Sequence, residues 1–351
     1  MLIADAASGR GLNSIEGTND DRGTRMSSVK PEDLVIRAAE PEDDAAALPM
    51  LRASLGKVED PHYEAFLQWK HRANPFGVSP AWVALHDGVV VGYRTFLRWE
   101  FLTDNGRVLR AVRAVDTATD PAYRGVGIFR TLTLQGVSEL TLAGDGIVFN
   151  TPNDQSRPGY LKMGWSLARQ LPVGVMPRGP RSMVSMLTSR VPASLWSEAT
   201  DVGLDAAVAL ADRGIAESLI RHAPAKGVRT NRTPEYLAWR TAFAPLRYRL
   251  LLVDDSDPAR GGVIFRLRRR GEAVEAAMVE QLVPDRRTGA LLVRRVLRET
   301  GADYAIGLRT GPSAGLVPLP RQGPLLTTRP LAASAPSPGD WALTLGDVEL
   351  F

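Results

Sequence analysis

The sequence predicts an α/β chain of two helix-and-sheet domains in tandem. Strand-like and helix-like periods alternate from about Leu34 to about Leu308. One short pattern also returns. Phe66-Leu67-Gln68-Trp69-Lys70, with Pro75 six positions after Trp69, reappears as Tyr236-Leu237-Ala238-Trp239-Arg240, with Pro245 six after Trp239. The 351 residues suffice for two ordinary cores.

Composition narrows the class. Apolar content of 44% and charged content of 23% are those of a soluble globular protein. No apolar window is long enough to span a bilayer, so no membrane partner is expected, and with no export signal apparent a cytoplasmic location is the default expectation. Residues 1–33 are rich in Gly, Ser, Asp, Asn and Arg and are expected to be a disordered leader. The absence of cysteine excludes disulfides, thiolate metal sites and cysteine nucleophiles. His62, His71, His86 and His222 lack ligand spacing, so no metal is expected. The net charge is +4, and nearly all of the positive charge is arginine, with clusters at Arg268-Arg269-Arg270, Arg286-Arg287 and Arg294-Arg295. No aromatics interleave with them, so they read as solvated faces rather than a nucleic-acid surface.

In chain order, Leu34 to Arg37 predicts a strand and Glu40-Pro41-Glu42-Asp43-Asp44 a helix start, with an apolar stripe ending at Gly56. A second helix covers about Tyr63 to His71. Strands at Ala81 to Leu85 and Val89 to Leu97 flank His86-Asp87-Gly88, and Trp99 to Leu102 and Val108 to Ala118 flank Asp104-Asn105-Gly106. Leu167 to Met176 adds a strand. Residues 177–203 have no period and read as a linker. Helical signals resume near Leu204 and at Thr233-Pro234-Glu235. Strands follow at Arg247 to Val253, Gly262 to Arg268 and Val274 to Val283, then a helix over about Gly289 to Thr300 and a strand at Tyr304 to Leu308. The tail is proline-rich.

Arg113 to Trp165 is the stretch on which function depends. A β-prone run, Ala111 to Ala118, stops at Asp120-Pro121. Tyr123-Arg124-Gly125-Val126-Gly127 then opens an apolar helix at Ile128. A glycine-rich turn at a helix N-terminus presents free N–H groups to a phosphate or pyrophosphate. A short strand, Ile147 to Asn150, and a polar turn then deliver Tyr160, a phenol able to donate a proton. The turn is no dinucleotide fingerprint, because Arg130 holds the third glycine position, and no Gly-Lys-Ser/Thr phosphate loop is present. In the second copy the turn is Pro284-Asp285-Arg286-Arg287-Thr288-Gly289, which keeps one glycine and should cradle a pyrophosphate poorly.

At these residues the sequence resembles the GNAT superfamily of acetyl-CoA-dependent N-acyltransferases. Asp120-Pro121-Ala122-Tyr123-Arg124-Gly125-Val126-Gly127-Ile128 is similar to that family's pyrophosphate loop, departing from it at Phe129, where many members have glycine or alanine. Asn153, Ser156, Tyr160, Gly164 and Trp165 resemble its series after the fifth strand. The resemblance covers about Leu34 to Leu167. It implies two GNAT-like mixed-sheet domains in tandem, each a mostly antiparallel sheet flanked by helices. The catalytic copy would span 34–176, the linker 177–203 and the degenerate copy 204–351.

Tyr160 is the candidate general acid, and Asp116, on the strand that by the same resemblance lies along the pantetheine arm, is the candidate base, directly or through water. Arg124, Gly125, Val126, Gly127, Ile128, Phe129 and Asn153, with the backbone of Thr117, Ala118 and Thr119, would hold acetyl-CoA. Glu100 and the terminal carboxylate of Phe351 are alternative bases. Asp116 is equally readable as a strand-end carboxylate paired with Arg113 or Arg124. The implied reaction is acetyl transfer to a primary amine by direct attack. A non-catalytic acyl-CoA-binding regulatory module is the alternative. An amino sugar, a small amine, an aminoglycoside-like compound and a protein lysine all stand as acceptors.

Overall fold

Turn and cap chemistry divides the first half as its residues require. In the computed structural model, which describes residues 29–189, 191–309, 315–333, 335 and 341–349, β1 (Val35–Ala38) leads into α1 (Pro41–Ser54) and α2 (Tyr63–His71). Glu40 and Asp43 form a capping box at the α1 entry, with Pro41 in its first turn. Asp87 and Gly88 take φ of 50° and 78°, the geometry of a tight hairpin turn between twisted strands. They join β2 (Ala81–His86) to β3 (Val89–Leu102). β3 is one long strand where the sequence suggests two. β4 (Val108–Thr119), α3 (Ile128–Leu142), β5 (Ile147–Asn150), α4 (Arg157–Lys162) and β6 (Ser166–Gln170) follow. Of the expected leader, residues 1–28 lie outside the described residues, and Pro31–Asp33 form a single 3-10 turn.

The stretch expected as one strand at Leu167 to Met176 is two, because Leu171-Pro172 breaks it. Proline has no N–H to continue a ladder. The second piece, β7 (Val173–Pro177), enters the other sheet. Within 177–203 the chain forms a helix, α5 (Pro180–Thr188). Beyond it come β8 (Leu204–Asp205), α6 (Ala206–Ala209), α7 (Arg213–Ile220), β9 (Arg229–Thr230) and α8 (Pro234–Thr241). Aspartates 205 and 212 cap α6 and α7, and Thr233 caps α8. The second half continues with β10 (Arg249–Leu252), β11 (Gly262–Arg270), β12 (Ala273–Leu282), α9 (Arg286–Thr300) and β13 (Tyr304–Leu308). The proline-rich tail supplies β14 (Val317–Pro318), β15 (Leu325–Pro330) and α10 (Leu345–Val348).

Two mixed GNAT-like sheets result. The first runs β1-β2-β3-β4-β5-β15-β6, and the second runs β14-β7-β13-β12-β11-β10-β8. In each, one central pair is parallel: β4 with β5, and β12 with β13. The halves exchange strands. β7 pairs with β13, and β15 lies between β5 and β6. A boundary at residue 176 therefore does not separate the two sheets.

The repeated motif is where the halves meet. α2 and α8 put Trp69 and Trp239 face to face, with ring centroids 5.1 Å apart. Trp69 Nε1 donates to the Trp239 carbonyl at 2.8 Å, and Trp239 Nε1 donates to the Trp69 carbonyl at 3.0 Å. This reciprocal pair is a local two-fold relation between the two copies. Trp239→Ala removes a buried ring and one bond of the pair. It is expected to cost about 3–5 kcal/mol, read as a lower urea midpoint. The chain end forms a second fastening. Arg232 pairs with Asp347 at 2.8 Å, Arg266 with Glu349 at 2.6 Å, and Arg113 donates to the carbonyls of Asp347 and Val348. Every side chain in this network is buried.

Candidate active site

The turn before α3 is built to leave helix donors open. The Asp120 carboxylate accepts from the Ala122 N–H at 2.8 Å and turns the chain off β4. Gly125 and Gly127 follow at φ of 84° and 91°, a left-handed backbone that side chains rarely adopt. A Cβ at either would meet open space, so the turn is not packed against another part of the chain at these positions. Gly127 is the N-cap of α3, with no side chain closing the helix end. The first helical bond is Thr131 N–H to the Gly127 carbonyl, leaving Ile128, Phe129 and Arg130 amides without intrahelical partners. These residues fit an anion of pyrophosphate size. The second half shows the contrast. α9 is capped by Asp285, whose carboxylate accepts from the Thr288 N–H at 2.9 Å. The chain's own anion closes that helix end.

The slot beside the turn comes from strand splay. β4 pairs with β5 only at Ala111, Val112 and Arg113. Beyond Arg113 the β4 edge towards β5 carries no ladder, and Thr117, Ala118 and Thr119 lie on that stretch while pairing with β3 on the other side. Thr117 Oγ1 donates to the Tyr93 carbonyl. A thioester arm with amide groups has unpaired backbone to bond there.

Tyr160, on α4, is buried. Its ring meets Phe129 edge-on at 5.6 Å and Trp165 at 5.2 Å. Phe129, the departure from the family pattern, thus packs against the candidate acid. Asn153 fixes the approach to α4, its Oδ1 accepting from the Ser156 N–H and hydroxyl, each at 2.9 Å. The Tyr160 hydroxyl accepts from Arg94 Nη2 at 2.7 Å.

Asp116 stands on a β-bulge. Arg94 pairs with Thr117 and Thr95 with Val115, so Asp116 is the extra residue, at φ 42°. Its Oδ2 meets Lys70 Nζ at 2.7 Å and His71 Nε2 at 2.8 Å, both from the end of α2. The alternative partners read from sequence, Arg113 and Arg124, are not the ones it has. Burial opposes its charge, but Lys70 and His71 outweigh burial and hold the carboxylate well below its ordinary range. Burial also pulls the His71 imidazole below its usual value, against the pull of Asp116. His71 and Asp116 line a cavity of about 130 Å³ with Asp44, Gln68, Tyr93 and Thr95. Glu100, the weaker candidate base, is engaged with Asn231 and pairs in register with Arg110, well along the sheet from the bulge. Phe351 lies outside the described residues.

The second sheet repeats the bulge without these groups. Gly262 pairs with Leu282 as Gly92 pairs with Thr119, and Ile264 pairs with Glu280 as Arg94 pairs with Thr117. Val279 is then the bulged residue where the first sheet has Asp116. Thr241 stands where the repeat places His71. Lys70, His71 and Arg94 were not among the residues singled out from sequence. The difference between the copies was the one signal for His71 and Arg94, whereas Lys70 has a basic counterpart in Arg240.

His71 fixes a pH dependence. Its folded value lies below the ordinary 6.5, so its stabilising effect is complete above about pH 6.5 and is lost as pH falls through the folded value. Thermal melts are expected to be flat in pH above neutrality and to drop below about pH 6.5. His71→Gln should flatten that drop.

Comparison with known proteins agrees with this geometry. The acetyltransferase (GNAT) domain family matches residues 35–168. No curated protein matches the sequence. Among solved structures, a GCN5-related N-acetyltransferase from Anabaena variabilis superposes with a TM-score of 0.60 at 14% identity, over 85% of this chain and 73% of that one. Eis1 from Mycobacterium abscessus gives 0.53 at 16% identity, again over 85% and 73%. A probable N-acyltransferase from Enterococcus faecalis V583 gives 0.56 at 12% identity over the same shares. At such identity these likenesses speak for the fold, and they extend over both sheets. Residues 35–168 of this chain thus match the GNAT acetyltransferase domain family, and the likeness in fold to solved N-acetyltransferases extends beyond them.

Proposed function

We propose that the first half of the chain moves an acetyl group from acetyl-CoA to a primary amine by direct attack. The observation that carries this reading is the uncapped start of α3, with Gly125 and Gly127 left-handed, beside a buried Tyr160. The amides of the Arg124–Phe129 turn hold the pyrophosphate, with Asn153 at its flank, and the open β4 edge at Thr117–Thr119 takes the thioester arm. Tyr160 gives its proton to the departing sulfur. Asp116, held as a carboxylate by Lys70, is a weak base on its own. With His71 it forms a pair in which a neutral imidazole takes the amine's proton and the carboxylate stabilises the cation formed. The cavity beside them, lined by Asp44, Glu64, Arg72 and Gln68 as well as His71 and Asp116, offers a polar surface to an amine acceptor.

The second half lacks the open turn, the bulge carboxylate and the imidazole, and the cavity beside His71 and Asp116 is lined by first-half residues alone. No described helix is long and apolar enough to cross a membrane. The test is thiol release from acetyl-CoA over a library of amino sugars, polyamines, aminoglycosides and lysine peptides. Release with one amine class supports transfer and names the acceptor. Acetyl-CoA binding with no release against any amine would make the protein a non-catalytic acyl-CoA-binding module.

A further inference from the structure

Arg94 is a buried cation with no carboxylate paired to it among the described residues. It is fully buried, and its Nε and Nη1 have no hydrogen-bond partner among the described residues. Its guanidinium carbon lies 4.8 Å from the Phe96 ring centroid and 5.4 Å from those of Phe129 and Tyr160. Such stacking offsets part of the cost of desolvation, but an unpaired buried charge remains costly. A sequence under selection for stability alone has apolar choices here. The second sheet takes one, with Ile264 at the matched register position.

We propose that Arg94 is a positioning residue that aims the Tyr160 proton at the leaving sulfur and holds the phenolate that remains. This rests on the reading of Tyr160 as the proton donor. Nη2–H donates to a lone pair of the Tyr160 oxygen at 2.7 Å. The phenol's own hydrogen must therefore point away from the guanidinium. When the amine nitrogen attacks the thioester carbon and the C–S bond breaks, its electron pair leaves on sulfur. The Tyr160 proton passes to that sulfur, giving the free thiol, and the O–H electrons stay on the phenol oxygen. That oxygen is already bonded to a fixed positive charge, so no reorganisation is needed as the charge forms. The amine's proton goes to the base, and solvent restores the phenol after the thiol departs.

The test uses the full chain and acetyl-CoA, with hydroxylamine as nucleophile because it is unprotonated at neutral pH. Thiol release is followed and the uncatalysed rate subtracted. Arg94→Met is expected to lower kcat about a hundredfold, within the range general-acid catalysis supplies, while KM for acetyl-CoA moves less than about threefold. Arg94→Lys, which keeps the charge, should retain roughly a tenth of wild-type kcat. In a Tyr160→Phe background, adding Arg94→Met should change kcat less than about threefold, because the two residues act as a unit. Should Arg94→Met fail to fold by thermal melting, Arg94→Gln carries the same two arms. A kcat within threefold of wild type for the neutral variant, a loss confined to KM, or the same loss in both backgrounds overturns the proposal. Unchanged turnover in Tyr160→Phe alone, or no thiol release by wild type, would instead remove the reading beneath it.

Discussion

Gly127→Val is expected to weaken acetyl-CoA binding by about 30- to 100-fold. Residue 127 sits at φ 91°, where a β-branched side chain costs about 1–3 kcal/mol. Relief of that strain rotates the Ile128 and Phe129 amides away from their common focus. A valine also projects into the open space that a Cβ at 127 would enter, which is where the proposed function seats the pyrophosphate. Each 1.4 kcal/mol is about tenfold in affinity, so strain and occlusion together supply the loss. Titration calorimetry with acetyl-CoA measures it, beside a thermal melt to confirm folding. Gly301, also left-handed at φ 70°, ends α9 far from the proposed cradle, and its variant should bind normally.

Tyr160→Phe is expected to lower turnover by about 10²- to 10⁴-fold with acetyl-CoA binding retained, the range that a positioned acid contributes. The phenyl ring keeps its contacts with Phe129 and Trp165, so the slot keeps its shape. What goes is the proton and the acceptor of the Arg94 bond. A buried donor left unsatisfied costs about 1–3 kcal/mol, so a modest fall in melting temperature should accompany the loss of activity. Wild-type turnover across pH would remove the general-acid role while leaving the fold as described.

Local chemistry was largely legible in the chain. The hairpin turns, the caps of α1 and α8, the end of β4 at Asp120-Pro121 and the glycine turn are set by residues adjacent in sequence, and each appears where the residue types require it. Pairings between distant segments were not legible. Nothing in Val173–Pro177 or Leu325–Pro330 says which sheet takes the strand, since an edge strand reads alike in either. Exchange of β7 and β15 is decided by chain geometry after Pro172 and before β15. The site divides in the same way. Gly125, Gly127 and Tyr160 sit in one continuous stretch with a motif. Arg94, Lys70 and His71 come from elements upstream and reach the site through a bulge and a helix end, neither of which has a sequence signature. Lys70 and His71 read as the polar end of a helix; burial against Asp116 makes them a charged cluster.

The duplication supplies the sharper contrast. Both halves keep the tryptophan, the bulged strand and the parallel central pair. The second replaces Asp116 by Val279 and Arg94 by Ile264 at matched register, and caps its helix with Asp285. The copies thus share what the scaffold requires and differ in the groups the proposed chemistry uses. One chain is therefore expected to have one acyl-CoA site, at the open turn before α3. Calorimetric titration of the full chain with acetyl-CoA tests this directly. A stoichiometry of one, lost in Gly127→Val, is the predicted result. Two sites, no binding at high micromolar concentration, or binding indifferent to Gly127→Val would contradict it.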